Sequence, residues 1–295
     1  MTDNQFTVVS FNVKRDGPFT YLNKWENRKY FVANIIKSAG ASIVGVQEMM
    51  PEMREDLQNL LCDYGIFGIS RRKNNRSEHS DVMVNNTQAE MRYYHTFWLS
   101  KKPEKAGSRA YYAAFPRICT VAEVYVKAIG RTVRVFNTHF DHICSSARTL
   151  GIKTILHYLK ELDDVNPMPT ILMGDFNAKP GSKPLELMKK FAARNPRLGL
   201  HSVFDSYTGI TNTHHNFKGK MNHTIIDYIF VSNDLQVVRA VVDKSAYGGR
   251  YPSDHFPIVA TLRLKQQTGS DTAYGDQGTE DSCRRNDLRR VQHSL

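Results

Sequence analysis

Apolar residues along this chain form short strand-like runs and helix-spaced stretches, and several of the strand-like runs end in a polar side chain. The segment 171–177 shows this most fully, because an apolar run reaches Gly174 and then presents Asp175, Phe176 and Asn177. If the backbone stays extended through Phe176, Asp175 and Asn177 project from one face while Phe176 packs behind them. Asp and Asn are also ordinary turn residues after a strand, so this pattern fits either a functional site or a simple turn.

The same patterns predict the other elements of the chain. Runs of apolar and β-branched residues predict strands, and apolar residues three or four positions apart predict helices. Further strands are predicted at 6–13, 42–48, 64–70, 80–86, 93–100, 117–127, 131–138, 225–231 and 256–264, with 117–127 and 131–138 forming an antiparallel hairpin. Helices are predicted at 25–39, after Pro51, at 145–162 with Ser145 or Ser146 as the N-cap, and around 184–193, and residues 194–222 are predicted to be rich in loops.

The composition is that of a soluble globular protein, since 41% of the 295 residues are hydrophobic and 23% are charged. The first residues carry no basic and apolar leader, and no apolar run approaches the roughly 20 residues that a membrane span needs. The four cysteines lie far apart without metal-like spacing, which favours free thiols in a reducing compartment. We therefore expect a cytoplasmic monomer without a transmembrane segment, with one domain over residues 1–265 and a polar, disordered tail over 266–295.

The formal net charge of +11 is the unusual feature of the composition. The chain after Leu264 carries equal numbers of acidic and basic residues, so the excess of positive charge lies in the body. A basic body suits an anionic partner, either nucleic acid, a small phosphorylated metabolite or a lipid headgroup, although it also serves solubility. The basic segments 71–76 and 101–109 are therefore candidates for tracking a phosphate backbone, for gripping one charged headgroup, or for plain solvated surface.

Polar side chains of one chemical kind stand at or near six strand ends. Singly, each is compatible with a turn, a helix cap or a satisfied histidine, but an ionised Asp227 inside an apolar run would be costly without a partner. Together they offer oxygen ligands, which favour Mg²⁺ or Mn²⁺ over Zn²⁺. Such a set supplies the charge neutralisation and oriented water that phosphate ester hydrolysis needs. The six sites are Asn12, Glu48, His139 with Asp141, Asp175 with Asn177, Asp227, and Asp254 with His255.

In order and spacing, these motifs resemble those of the endonuclease/exonuclease/phosphatase superfamily, which includes deoxyribonuclease I, and they cover residues 5–264. The segments 96–100 and 137–142 are most similar to its compact bacterial branch of metal-dependent hydrolases. The resemblance implies a four-layer α/β sandwich of the α+β type, with two mixed β-sheets face to face, helices outside, and the active site at one end of the sheets.

The resemblance also implies roles for the residues that match its motifs. Glu48 would bind Mg²⁺, or Mn²⁺ in its place, with Asn12 and Asp254 close to the metal. Asp175 would orient or deprotonate the attacking water, and Asn177 would hold a phosphoryl oxygen.

On the same grounds, His255 would stabilise the phosphoryl group while Asp227 holds its ring, and His139 would contact the phosphate from the other side. Whether Asp175 or His255 is the base stays open, because a coupled pair can share the role. Lys14 stands where the apurinic endonucleases have an acidic residue, which weakens an assignment to abasic-site repair. Further substrate contacts are expected from Arg71, Arg109 and His215.

We therefore expect a Mg²⁺-dependent phosphohydrolase that cleaves a P–O bond with an activated water, as a phosphodiesterase or nuclease, or as a phosphomonoesterase. Two alternatives remain open at the level of sequence. One is a non-catalytic phosphate-binding module of the same fold. The other is a two-metal hydrolase centre built from His139, Asp141, His142, His214, His215 and His223.

Overall fold

Two six-stranded mixed β-sheets lie face to face in the computed structural model, which describes residues 4–17, 21–205, 212–220 and 224–266. The strands are β1 (Gln5–Asn12), β2 (Ile43–Met49), β3 (Tyr64–Phe67), β4 (His79–Asn85), β5 (Ala89–Trp98), β6 (Ile118–Val126), β7 (Arg131–His139), β8 (Thr170–Asp175), β9 (His201–Ser202), β10 (Asp227–Val231), β11 (Leu235–Val242) and β12 (Ile258–Leu264). The helices are α1 (Lys29–Ser38), α2 (Pro51–Leu60), α3 (Ser145–Val165) and α4 (Lys183–Arg194), with short 3-10 turns at Tyr21–Asn23, Trp25–Asn27 and Lys127–Ile129.

The first sheet has the strand order β11-β12-β1-β2-β4-β3, and the second has the order β5-β6-β7-β8-β10-β9. Aliphatic side chains from the inner faces of both sheets form one core, which includes Val8 and Ile43 from the first sheet and Val135 and Ile171 from the second. A second core joins α1 and α2 to the outer face of the first sheet, and a third joins α3 and α4 to the second sheet. These layers confirm the four-layer α/β sandwich.

Strand direction brings the polar strand ends together. β1 runs parallel to β2, and β7 runs parallel to β8, so these four strands finish at the same end of the sandwich. β10 runs antiparallel to β8 and begins there, with Asp227 opposite Asp175 in the register. His139 also stands beside Asp175 in the register of β7 and β8. The sheet pairing therefore places three of the predicted site residues side by side.

A polar bridge crosses the otherwise apolar space between the sheets. The Asn137 amide nitrogen on β7 donates to the carbonyl oxygens of Val46 (3.0 Å) and Asp81 (2.8 Å) in the first sheet. Its side-chain oxygen accepts a hydrogen bond of 2.6 Å from Gln47 Nε2. Gly45 makes room for this bridge, since a Cβ atom there would stand 2.7 Å from Asn137 Oδ1. The bridge lies two residues before His139 and fixes one sheet against the other beneath the site.

Several sequence-based predictions of elements are corrected by the structure. The N-cap of α3 is Cys144 rather than Ser145 or Ser146, and the carboxyl of Asp141 accepts the backbone N–H groups of Ile143 and Cys144 just before it. Asp227 begins β10 instead of standing in its middle. β9 and β11 were not predicted, because β9 has only two residues and β11 is an edge strand with several exposed side chains.

Cys62, Cys119 and Cys144 are free thiols, as predicted, while Cys283 lies outside the described residues. The predicted disorder of the tail likewise concerns residues 267–295, which lie outside the described part of the chain. In the part that is described, none of the helices has the length and apolar character required to cross a membrane.

Candidate active site

A cavity of about 550 Å³ opens at the end of the sandwich where the polar strand ends meet. The predicted site residues Glu48, His139, Asp175, Asn177, Asp254 and His255 all line it. Asn12 and Asp227 are buried and contact lining residues through hydrogen bonds. The fold thus brings together side chains from all six of these strand ends, whereas Asp141 accepts backbone N–H groups just before α3 and does not line the cavity.

The Asn12 amide joins two carboxylates across β1, β2 and β8. Its nitrogen donates to Glu48 Oε1 at 3.2 Å and to Asp175 Oδ2 at 3.0 Å. Its oxygen accepts the backbone N–H of Lys14 at 3.0 Å, which fixes the orientation of the amide. Asn12 therefore presents nitrogen, and not oxygen, to the two carboxylates, so that it positions acidic side chains that would otherwise repel one another.

His255 lies between carboxylates in a fully buried arrangement. Its Nδ1 lies 2.9 Å from Asp227 Oδ2, and its Nε2 points toward Asp175 Oδ2 and Asp254 Oδ1, each at 3.9 Å. Burial alone would lower the pKa of His255, but the negative charges of Asp227, Asp254 and Asp175 raise it to about 10. Burial and the nearby charge of Asp227 raise the pKa of Asp175. The ring is therefore oriented by Asp227 and holds a positive charge among three acids.

β8 ends at Asp175, and the chain turns there instead of remaining extended. Asn177 has φ of 46°, and its backbone N–H donates to Asp175 Oδ1 at 2.9 Å, which closes an Asx turn. The chain thus adopts the turn that the sequence left open as an alternative, and both side chains line the cavity. Phe176 is fully buried behind them, against Phe140 and Tyr228.

Gly174 allows β8 to approach β7 closely at this point. Its φ is 141°, and a Cβ atom would stand 2.0 Å from the carbonyl oxygen of Thr138. Only glycine avoids both this clash and this backbone strain. The glycine before Asp175 is therefore required by the packing of the two strands that carry His139 and Asp175.

Asp254 pairs with a cation from the same chain. Lys14 Nζ lies 3.1 Å from Asp254 Oδ2, and His214 Nε2 lies 3.8 Å from the same oxygen. Burial would raise the pKa of Asp254, but the neighbouring His214 and the charges of His255 and Lys14 hold it well below its usual range. Lys14 has φ of 54° and lines the cavity. The site thus contains a basic residue in addition to the acidic and amide side chains at the strand ends.

His139 approaches the centre from β7, with its Nε2 atom 3.5 Å from Asp175 Oδ2. Burial lowers the pKa of His139, and the positive charges of Arg117 and Arg71 lower it further. His139 is therefore neutral at pH 7, in contrast to His255 on the other side of Asp175.

A cationic group lines another part of the cavity wall around Glu78. Arg71 and Arg15 each lie 2.7 Å from Glu78 Oε1, and Arg117 lies 4.0 Å from Glu78 Oε2. Arg71 was predicted from its basic segment, whereas Arg15, Glu78 and Arg117 were missed because none of them belongs to a strand-end motif. Their only signal in the sequence is that Arg71 and Glu78 flank the same loop.

Two predicted substrate contacts do not reach the cavity wall. Arg109 donates to the carbonyl oxygen of Ala113 and is absent from the lining. His215 is buried, its ring stacks on Phe256 at 3.8 Å between centroids, and its Nδ1 accepts the backbone N–H of Gly219. These two side chains therefore lie outside the proposed site.

The donor set fits a hard divalent cation. In the described residues Glu48 forms no ion pair, and its two oxygens accept hydrogen bonds of 3.2 Å from Asn12 Nδ2 and from the backbone N–H of Arg15. Asp254 supplies a second carboxylate on the same cavity. Carboxylate oxygens of this kind select Mg²⁺ over softer metals.

Only some of the histidines predicted for a two-metal centre belong to groups that could bind an ion in the described residues. Among the residues that the structure describes, two groups have ligand atoms close enough to share an ion, and they are His214 with Asp254 and His255, and Asp175 with Asp227 and His255. Neither group contains Glu48, His139, His142 or His215, and His223 lies outside the described residues. The histidines proposed for a two-metal centre therefore do not form one cluster.

Comparisons with known proteins agree with this fold. The chain is similar to a mannosyl-6-phosphatase from Bacteroides thetaiotaomicron, with 27% identity, a TM-score of 0.81, and coverage of 88% of this chain and 100% of that one. A structure of an endonuclease/exonuclease/phosphatase family protein from Bacteroides thetaiotaomicron gives 27% identity and a TM-score of 0.80 over 89% of this chain and 98% of that one.

A curated relative is the CCR4-Not complex 3'-5'-exoribonuclease subunit Ccr4 of Kluyveromyces lactis, which is 23% identical over 194 residues. That match covers 53% of this chain but only 25% of the length of the yeast subunit. The family model described as Endonuclease/Exonuclease/phosphatase family matches residues 9–255. The chain therefore belongs to the endonuclease/exonuclease/phosphatase family, whose members hydrolyse phosphate esters.

Proposed function

We propose that this protein is a Mg²⁺-dependent hydrolase that cleaves a P–O bond of a small phosphorylated molecule with a water molecule as the nucleophile. The observation that carries this proposal is the meeting of Glu48, Asp175 and the Asp227–His255 pair at one cavity. This arrangement provides carboxylates that can bind a cation and accept a proton. It also provides oriented hydrogen-bond donors for a phosphoryl group.

Glu48 and Asp254 are the side chains that would hold the cation. Bound Mg²⁺ supplies charge neutralisation at the phosphoryl oxygens. Asn12 takes part by holding the Glu48 and Asp175 carboxylates at fixed positions through its two N–H donations. Lys14 adds a positive charge beside Asp254.

Asp175 is placed to orient the attacking water and to receive its proton. Three contacts restrain it, since Oδ2 accepts from Asn12 and approaches His139 at 3.5 Å, and Oδ1 accepts the backbone N–H of Asn177. A base that is held by its neighbours does not reorganise during the reaction. His255 Nε2 lies 3.9 Å from Asp175 Oδ2, so the charges of the two groups interact and their titrations are coupled.

Donors around Asp175 are available for the phosphoryl oxygens. Asn177 Nδ2 gives one N–H to the carbonyl oxygen of Phe140 at 3.1 Å, which leaves its second N–H for a ligand. Asp227 holds His255 with its Nε2 atom toward the cavity. His139 approaches Asp175 from the neighbouring strand β7. These fixed donors would stabilise charge that develops on the phosphoryl group.

The volume of the cavity favours a small substrate. Its volume of about 550 Å³ lies within the usual range for sites that bind small molecules. The Bacteroides relative described as a mannosyl-6-phosphatase acts, by that description, on a phosphorylated sugar. Both observations favour a phosphomonoester of a small polar molecule.

A nuclease is the second candidate, and one surface feature favours it. The segments 71–76 and 101–109 lie together, because a Cβ atom at Gly107 would contact Lys73 at 3.7 Å. Both segments are rich in basic residues, and such charges would suit a phosphate backbone. The Kluyveromyces relative is described as an exoribonuclease subunit.

A substrate panel tests the proposal. It comprises single- and double-stranded DNA, RNA, sugar phosphates, inositol phosphates and sphingomyelin, each with Mg²⁺, and with His255→Ala as the inactive control. We expect turnover of small phosphomonoesters that changes little between low and physiological salt. Turnover confined to nucleic acids, with a steep loss as salt rises, would assign a nuclease instead. Binding without turnover of any ester would indicate a phosphate-binding module.

A further inference from the structure

Three arginines surround a single carboxylate in the wall of the cavity. Arg15 Nε and Arg71 Nη2 each lie 2.7 Å from Glu78 Oε1. Arg117 approaches the other oxygen of Glu78 at 4.0 Å, and its Nη2 lies 3.0 Å from His142 Nδ1. We call Arg15, Arg71, Arg117 and Glu78 the arginine cluster. All four side chains line the cavity.

The arginine cluster carries more positive than negative charge. Three guanidinium groups face one carboxylate, which leaves an excess of two positive charges by simple subtraction. Arg71 and Arg117 are largely buried, with side-chain exposures of 7% and 8%. Buried charges without a partner are costly, so such an excess is expected where a ligand supplies the missing anion.

Arg117 shows the missing partner most directly. Its Nε–H group is buried and donates to no acceptor within the described part of the chain. Its ion pair with Glu78 Oε2 is long at 4.0 Å, whereas Arg15 and Arg71 each lie 2.7 Å from the other oxygen of that carboxylate. A guanidinium group is suited to planar, two-point binding of a phosphate or a carboxylate.

Glu48 connects the arginine cluster to the reaction centre. Its Oε1 accepts from Asn12, which also holds Asp175, and its Oε2 accepts the backbone N–H of Arg15. The aromatic ring of Phe115 lies 4.8 Å from the Arg71 guanidinium and also lines the cavity. A molecule in the cavity would therefore contact the reaction centre and the arginine cluster at the same time.

We propose that the arginine cluster binds a second anionic group of the substrate, so that the preferred substrate carries two anions, one of them the phosphate ester that is cleaved. This inference rests on the proposed function, because it concerns the same cavity. The scissile phosphoryl group has its proposed donors in His139, Asn177 and His255, and the arginine cluster adds three guanidinium groups to the wall of the same cavity, where the backbone N–H of Arg15 donates to Glu48. The second anion is a phosphate, sulfate or carboxylate group attached to the same molecule.

Matched substrate pairs test the second anion. Fructose 6-phosphate and fructose 1,6-bisphosphate form one pair, and adenosine 3'-phosphate and adenosine 3',5'-bisphosphate form another. We expect kcat/KM to be higher for the doubly charged member of at least one pair by about tenfold to a hundredfold, the range expected for charge-assisted hydrogen bonds. A 5'-phosphorylated dinucleotide separates the two sources of the second anion, since a preference for it over both bisphosphates would assign the second anion to a neighbouring nucleotide.

Arginine variants then locate the effect. Arg117→Gln and Arg71→Gln should lower the ratio of kcat/KM between the doubly and singly charged substrates, mainly through KM. Arg131→Gln is the matched control, because Arg131 is exposed at the start of β7, at the opposite end from His139, and it makes the same change of charge. Glu78→Gln removes the competing carboxylate with little change of shape, and it should raise the ratio.

Binding measurements keep this inference separate from the proposed function. Calorimetric titration of His255→Ala with each pair, without turnover, should show tighter binding of the bisphosphate. If that preference is present but the wild type hydrolyses neither member, the second anion site stands and the proposed function fails. Equal binding and equal kcat/KM within both pairs, alongside active hydrolysis, would overturn the second anion site alone. Equal losses on both members in Arg117→Gln would do the same.

Discussion

His255 and Asp227 form a buried pair in which Nδ1 of the ring lies 2.9 Å from Oδ2 of the carboxylate, although the two residues are 28 positions apart in the chain. The pair explains how an acid is tolerated at the start of an apolar strand, because the ring neutralises the carboxylate. It also fixes which ring nitrogen faces the cavity. The opposite nitrogen, Nε2, is consequently directed toward Asp175.

Asp227→Asn should reduce kcat by about 10²-fold to 10⁴-fold, the usual contribution of an oriented acid or base. The amide retains the size of the side chain but removes the charge that orients and stabilises the histidine. Steady-state kinetics on the best substrate of the panel would measure this loss, and a thermal melt would check folding. Asp164→Asn, an exposed change on α3, is the control and should leave kcat unchanged. Wild-type kcat in Asp227→Asn would remove the pair from the mechanism.

Removal of divalent cations should silence the enzyme, and Mg²⁺ or Mn²⁺ should restore it. Glu48→Gln should raise the Mg²⁺ concentration needed for half-maximal activity at least tenfold, because a neutral amide binds a hard cation more weakly than a carboxylate. The measurement is activity against Mg²⁺ concentration after treatment with EDTA, together with calorimetric titration of Mg²⁺ alone. Rescue by Zn²⁺ only would favour the histidine-rich centre over the carboxylate site.

The strand ends were predictable from sequence because each signal is local. A run of apolar residues followed by Asn12, Glu48 or Asp175 is visible in a short window, and strand alternation tells which side chains are exposed at the end. The order of these motifs then identified the family and its sandwich fold, which the family match confirms. Patterns of this kind predict both where strands and helices occur and where the acidic side chains lie along the chain.

Contacts between distant loops were not predictable in the same way. Lys14 and Asp254 are 240 positions apart, and Glu78 meets Arg15 and Arg117 only through the fold. Nothing in a local window distinguishes these residues from ordinary surface charges. The turn at Asp175 was left open by the sequence, because Asp and Asn two residues apart suit both a site and an Asx turn, and only the fold shows that the turn itself lies at the cavity.

Gly174→Ala should destabilise the protein by about 3 kcal/mol or more, because the added methyl group meets the Thr138 carbonyl and the backbone is strained. Gly130→Ala isolates the backbone contribution, since Gly130 has φ of 59° but nothing within 4 Å of an added Cβ, and it should cost about 1 kcal/mol. Urea unfolding at pH 7 would measure both values. Equal costs at the two glycines would show that the approach of β7 and β8 does not matter.

Glu104 should make the stability of the folded protein depend on pH. Burial would raise the pKa of Glu104, but hydrogen bonds from His95 and Tyr158 lower it below its ordinary value. A carboxyl whose pKa is lowered by folding stabilises the protein above its unfolded pKa and loses this effect as the pH falls through the folded value. Wild type should therefore melt above Glu104→Gln at pH 7, and the difference should shrink below about pH 4. A difference independent of pH would contradict this charge effect.

Asn137 is expected to be the most sensitive polar residue between the sheets. Asn137→Ala should destabilise the protein by about 3 kcal/mol, because it leaves the carbonyl oxygens of Val46 and Asp81 and the Gln47 amide without their partner in the buried space between the sheets. Urea unfolding would measure the loss, with the exposed Asn86→Ala as a control that should change stability by less than about 0.5 kcal/mol.

The same variant tests whether the polar bridge also aligns the site. Asn137 precedes His139 by two residues on β7 and ties that strand to β2, which ends beside Glu48. If the bridge sets the spacing between these strands, kcat should fall in Asn137→Ala even at temperatures where the variant is fully folded. Displacements of about 1 Å in a catalytic group are enough to cost about a hundredfold in rate. Unchanged kcat in a folded but destabilised variant would mean that the bridge contributes stability alone.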